Sequence, residues 1–355
     1  MGTSTTFVAH PPRRRFAPPQ DEVLQLRGDM RREDSSVTRR QGSPFTGLGP
    51  VFMKELADHL SSVRMMVLTL FVLAFGAFPV ASSLQTLRTV VDPNSFLFLR
   101  IFTLEPEQVG ISFIAALNFI IPLMGIGLGF DSVNSEFNRR TLSRVLSQPI
   151  YRDALLLGKF LAGLATFAVA LVALWLIVFG AGLLLLGVPP RGVEVARGLG
   201  FLVVAIAYGG VWLAIAMLFS VIFRSTATSA LCALGLWLFF FLLWPQLASA
   251  IVSGVAPSEI RSLEEYAAVQ DIAMALMRLS PGTLFSEAVL GLLSPETRTL
   301  GPMLPAQMRG AIMGAPLPFD QSLLLIWPQI TGLIAGMIVV FAAAYVVFQR
   351  EEVRA

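Results

Sequence analysis

Six stretches of this chain are long and apolar enough to cross a bilayer, and they constrain its fold more than anything else in the sequence. They run at about 65–84, 110–130, 160–187, 199–223, 227–252 and 323–348. A hydrocarbon core about 30 Å thick takes about 20 helical residues at 1.5 Å rise each. Inside lipid the backbone must satisfy its own hydrogen bonds, which a helix does within a single segment. Only 14% of the 355 residues are charged, against roughly 25% in a soluble domain, and the deficit lies in those runs. The fold class expected is all-α: a polytopic membrane protein with six transmembrane helices. The third run exceeds what a bilayer needs, so it tilts or protrudes. Pro122 and Pro328 fall within or near the ends of runs, where membrane helices tolerate kinks. Trp244 and Trp327 sit near the ends of the fifth and sixth, as interfacial anchors do.

Short loops set the orientation. The segment between the second and third runs holds Arg139, Arg140, Arg144, Arg152 and Lys159. Arg224 lies between the fourth and fifth runs, and Arg350 and Arg354 follow the sixth. The loop between the third and fourth has only Arg191 and Arg197, with Glu194. The positive-inside bias then puts both termini and the 131–159 segment in the cytoplasm. Two segments face the other way, 85–109 and the larger 253–320. The larger has helical periodicity at Ile260, Leu263, Tyr266, Ala267 and Ile272. A second helix is expected from Ser280-Pro281, a cap residue followed by proline at the first helical position. Its apolar face (Leu284, Phe285, Val289, Leu292) rests on the membrane surface or covers the bundle.

Residues 1–48 are rich in proline and arginine and lack hydrophobic periodicity, which predicts a disordered cytoplasmic tail. No apolar stretch follows its basic residues at signal-peptide distance. Residues 49–355 form the six-helix domain, entered through an amphipathic helix over 50–64 with Phe52, Leu56, Leu60 and Val63 on one face. A net charge of +3 and a pI near 9.4 reflect arginines in loops rather than nucleic-acid binding.

Several chemistries are missing. Neither lysine, Lys54 or Lys159, stands in a glycine-rich phosphate-binding loop, so ATP has no P-loop here. His10 and His59 form no HExxH, and Cys232 is a lone thiol in an apolar run. No catalytic residue, metal or cofactor is expected. The apolar runs carry no Asp, Glu, Lys or Arg, whereas carriers coupled to protons or ions usually keep one. Gly125 and Gly129, and Gly332 and Gly336, have the four-residue spacing that lets helices approach closely.

That leaves the charged island, Asp131 to Lys159. A helix is expected from about Ser135 to Gln148, ended by Pro149. Leu142, Val145 and Leu146, extended by Phe137, form an apolar stripe, while Arg140 and Arg144 share another face. Glu136 stands four residues before Arg140, the favoured order for an ion pair. Asp153 falls in the first turn of the third span. Physics alone leaves two readings: a lever between two spans, or a loop that only satisfies the charge bias.

Glu136, Thr141, Leu142, Leu146, Ser147, Pro149, Ile150, Arg152, Gly158 and Lys159 together resemble permeases of the type-2 ABC transporter family. Those of nitrous-oxide-reductase maturation and gliding motility are the most similar. Lys54-Glu55, Arg224-Ser225 and the run from Phe348 to Glu352 also match, so the resemblance covers about 50–355. It implies a coupling helix that docks on a separate cytoplasmic ABC ATPase subunit. On this chain the coupling residues would be Glu136, Arg139, Arg140, Thr141, Leu142, Arg144, Val145, Leu146, Ser147, Pro149 and Arg152. It further implies a homodimer or a heterodimer with a related permease, a multi-pass place in the plasma (cell inner) membrane, and usually export. Relatives often have glycine before that threonine, where this chain has Arg140. Two other classes remain open: a non-transporting membrane anchor or assembly subunit, and a secondary carrier.

Overall fold

A computed structural model describes residue 2 and residues 47–87, 96–103, 111–138, 152–187, 189–257, 262–300 and 316–350. The expected tail, 1–48, lies almost wholly outside these residues, and so does most of the island helix. Residues 44–355 make one compact unit, and its described regular structure is helical. The helices are α1 Leu48–Ser61, α2 Val63–Leu87, α3 Leu97–Thr103, α4 Phe113–Gly129, α5 Asn134–Asn138, α6 Arg152–Leu186 and α7 Gly192–Ile222. After them come α8 Thr226–Leu238, a π-helical turn Phe239–Leu243, α9 Trp244–Val255, α10 Leu263–Met277, α11 Pro281–Leu293 and α12 Phe319–Arg350. Six segments are long and apolar enough to cross a membrane: those at α2, α4, α6, α7, α8–α9 and α12.

The central post is α7, which packs against α12, α4, α6, α8 and α11. Its interior positions are apolar on nearly every side, as a helix enclosed by helices requires. The closest approach is to α4. A Cβ on Gly125 would lie 2.9 Å from the Gly209 carbonyl oxygen, and one on Gly129 would lie 2.8 Å from the Leu213 carbonyl oxygen. The four-residue glycine spacing is therefore used within the chain, backbone against backbone. Of the other pair, Gly332 faces Leu284 at 3.2 Å while Gly336 meets nothing within 4 Å.

One end of the bundle, here called basal, gathers α1, α5, the starts of α2, α6 and α8, and the end of α12. The opposite, distal end is closed by α3 and α11. On α3, Phe98 and Phe102 pack into rings from α4, α6 and α7, among them Phe113, Phe179 and Phe201.

The distal segments differ from expectation in two ways. Glu194 and Arg197, expected in a loop, lie in the first two turns of α7 and are buried. Glu194 accepts from the backbone N–H of Phe98 at 3.1 Å. Arg197 donates to the carbonyl oxygens of Leu292 and Leu317 at 2.6 Å and to the Ser322 hydroxyl at 3.0 Å. Glu194 accepts on both oxygens and Arg197 donates through both terminal nitrogens, its Nε alone being left without a partner, and these bonds in place of water make burial tolerable.

The second difference is that α10 folds back along α9 and α11 then returns packed into the bundle, the two forming a helical hairpin. The Trp244 indole, at the start of α9, donates to the carbonyl oxygen of Leu276 near the end of α10, so the two helices run antiparallel. Along α7, Arg197 meets the end of α11 and Tyr208 stacks on Phe285 near its start, with ring centroids 4.6 Å apart. The hairpin tip, near Ser280, therefore reaches inward to the level of Tyr208. Phe285, Val289 and Leu292 are fully buried against the bundle, which selects the covering alternative for that face over the membrane-surface one. The helix begins at Pro281 as expected, but the Ser280 hydroxyl makes no capping bond.

Candidate functional site

The part of the island that the structure describes, Asp131 to Asn138, is a turn followed by the single-turn helix α5. A five-residue helix has little stability of its own, so its position is fixed by what grips it. Ser132 caps the end of α4 through a 2.9 Å bond from its hydroxyl to the Gly129 carbonyl oxygen. The Ser220 hydroxyl of α7 then accepts from the backbone N–H groups of Val133 and Asn134 at 3.0 and 3.2 Å. Asn134 is buried and its side-chain amide donates to the carbonyl oxygens of Phe130 and Phe223. One turn on, the Asn138 amide donates to the Arg224 carbonyl oxygen at 2.9 Å, and the Arg224 guanidinium lies 4.9 Å over the Phe137 ring.

Ion pairs bind the same segment to other elements. Arg64, at the start of α2, meets Asp131 at 2.5 Å. On α6, Lys159 lies between two carboxylates, 2.7 Å from Glu136 on α5 and 3.0 Å from Glu55 on α1. All three of these side chains are largely buried, Lys159 with 6% exposed. Lys54 adds a second ammonium 3.1 Å from Glu55. Burial alone would raise the Glu55 pKa, but the Lys159 charge and the hydrogen bonds from both lysines hold it below the usual 4.5. Burial lowers His59, on the same helix, below its ordinary 6.5. At the far end of α12, the Gln349 amide donates to Asp153 in the first turn of α6.

The structure brings Glu136 to Lys159; the pairing with Arg140 expected from sequence spacing falls on a residue outside the described ones. Arg152 opens α6. Arg139, Arg140, Thr141, Leu142, Arg144, Val145, Leu146, Ser147 and Pro149 lie outside the described residues. Sequence reasoning did not find the roles of Arg64, Asp131, Asn134, Asn138 and Ser220. A signal was present in Asn134 and Asn138, two amides at i, i+4 where an apolar run ends, able to cap carbonyls of a neighbouring helix end. Lys54-Glu55 was noticed as a motif without a partner; the partner is Lys159.

These contacts join α5 to α4 through the chain, to α2 through Asp131, to α6 and α1 through Glu136 and Lys159, and to the α7–α8 corner through Ser220 and Arg224.

A family model described as ABC-2 family transporter protein matches residues 50–353. The chain is similar to a protein of Pseudomonas aeruginosa described as "Probable ABC transporter permease protein NosY". They are 36% identical over 156 residues, which is 42% of this chain and 54% of that protein. A protein of the same description from Stutzerimonas stutzeri is 30% identical over 155 residues, again 42% of this chain and 54% of that protein. The chain spans about half the length of these curated relatives.

Proposed function

Because this chain belongs to the ABC-2 family of transporter proteins, we propose that it is the membrane-spanning permease subunit of an ATP-driven exporter whose ATPase is a separate chain. In this reading the basal end and both termini face the cytoplasm, the membrane is the plasma (cell inner) membrane, and two permease copies, or this one and a related permease, flank the cargo route. Residues 131–159 carry the docking helix. Glu136 anchors its root, and the contact face falls among Arg139, Arg140, Thr141, Leu142, Arg144, Val145, Leu146, Ser147, Pro149 and Arg152. The 1–48 segment is a cytoplasmic tail outside the permease domain.

One observation carries the proposal. The root of the island is tied by polar contacts to the basal ends of five spans and, through Lys159, to α1, and those at Glu136 and Ser220 are largely buried. A segment that only satisfied a charge bias would need none of them. The two lysines support a subunit without its own nucleotide site, since both are engaged in carboxylate pairs at α1 and α6. Co-expression with neighbouring reading frames and purification through this chain tests the reading. A stoichiometric ATP-binding subunit should co-purify, and its hydrolysis rate should change on reconstitution with the permease. A permease that purifies alone in every such combination would sink the idea.

A further inference from the structure

Beneath the hairpin tip lies a chamber of about 270 Å³ with two unlike walls. One wall is aromatic. Trp237 and Phe241 stack with centroids 5.5 Å apart and an interplanar angle of 20°, and Phe240 adjoins them. The π-helical turn belongs to this wall. Pro245 has no N–H to give to the Phe241 carbonyl oxygen four residues back, and its ring would crowd that oxygen. The chain adds a residue to the turn instead, with the Trp244 N–H reaching back to Phe239. Such bulges are frequent at functional sites.

The other wall is polar. Asn118 accepts from the Tyr208 hydroxyl at 2.8 Å and donates to the Ser286 hydroxyl at 3.3 Å. Beside them is the start of α11, whose Ser280 is buried yet leaves its capping bond unmade. Thr283 adds a second hydroxyl. Among the lining residues Glu287 alone is acidic or basic, and it is already paired. The Arg278 guanidinium donates to both its oxygens and the Gln329 amide donates to one at 2.8 Å.

We infer that this chamber binds an uncharged small molecule with a flat apolar face and a hydrogen-bonding edge, the face against Trp237 and Phe241 and the edge toward Ser280, Thr283 and Asn118. The class follows from the walls. Aromatic rings take a planar face at stacking distance, and few, convergent polar groups fix its orientation. A charged ligand would find no free counter-charge, and an unpaired ion is costly out of water. The inference rests on the transporter reading insofar as it makes this the place where cargo is held.

The test uses the full chain in lipid nanodiscs and a neutral probe, benzanilide carrying a photoreactive diazirine. Labelling should concentrate in residues 237–245 and 280–287. Excess benzanilide should suppress it, while the 4-carboxylate and 4-aminomethyl analogues should need on the order of tenfold higher concentration, the cost of an unpaired charge. Thr283→Trp, which fills the chamber, should cut labelling several-fold. Label spread over lipid-facing helices, or charged analogues that compete as well as the neutral one, overturns the proposal. The competition series needs no variant, so it decides even if Thr283→Trp does not fold. Binding is read on the permease alone. Its failure leaves the ATP-driven reading standing, and failure to find an ATPase leaves a positive binding result intact.

Discussion

Lys159 shows how much a single residue can be asked to do. It is one of two lysines in the chain, and its ammonium stands between the Glu55 and Glu136 carboxylates in a largely buried place. Lys159→Met would leave Glu55 with Lys54 and take from Glu136 its 2.7 Å ammonium partner. Removing one partner of a buried pair costs about 3–5 kcal/mol, so the melting temperature in detergent should fall by several degrees, and Lys159→Arg should recover part of it. The pH dependence has a definite sign. Glu55 is depressed in the folded protein, so its stabilisation is present above 4.5 and is lost as pH falls through the depressed value. In Lys159→Met the carboxylates repel, and acid should relieve them. Lowering the pH from 7 to about 4 should therefore destabilise the wild type relative to the variant. His59, held below 6.5 by burial first and by the Lys159 charge as well, loses stability on acidification less in the variant than in the wild type, so it adds to the difference with the same sign. Parallel slopes would remove Lys159 from the centre of the cluster. Lysine and carboxylates were legible as a motif, yet their meeting was not: Glu55 and Lys159 stand 104 positions apart, and no periodicity links such sites.

At the scale of elements, hydrophobic length located all six spans to within a few residues at most ends, because bilayer thickness sets it. The third and fourth spans are the exceptions, since about two further turns carry α6 back to Arg152 and α7 back to Gly192. The α10–α11 hairpin was legible as helices but not as an insertion. An apolar face says that something covers it and not what, so Phe285 and Val289 looked the same whether they faced lipid headgroups or Tyr208. Pro245 could have announced the π turn, for a proline inside a spanning run must displace the hydrogen bond it cannot make. The α4–α7 seam yields an element-level prediction. Gly125→Ala and Gly129→Ala each place a methyl against backbone on α7. Overpacking of this kind costs about 1–3 kcal/mol, so each should lower thermal stability. Gly336→Ala, with open space around it, should not. Equal behaviour of the three variants would mean that α4 and α7 are not in contact as described.

For the whole molecule, the question is whether movement at the island reaches the spans. In the proposed assembly, Leu142→Asp with Leu146→Asp should keep membrane insertion and folding, since neither residue belongs to one of the six apolar runs of the sequence. It should separate ATP hydrolysis by the partner from transport. Ser220→Ala should weaken the same coupling from the inside by removing the acceptor of two backbone N–H groups, at a cost of about 1–3 kcal/mol for donors left unsatisfied. Reconstituted transport per ATP is the measurement, and unchanged coupling in both variants would remove the lever.

The guanidinium at Arg197 has a consequence for how this protein is made. Its acceptors arrive late: Leu292 is 95 residues further along the chain and Ser322 is 125. A ribosome adds roughly 5–20 residues per second, so for several seconds a nascent fourth span carries a charge with none of its final partners. During that interval the arginine must stay near water, which favours holding the head of that span at the bilayer surface. The distal end can lock only once the span that carries Ser322 has emerged.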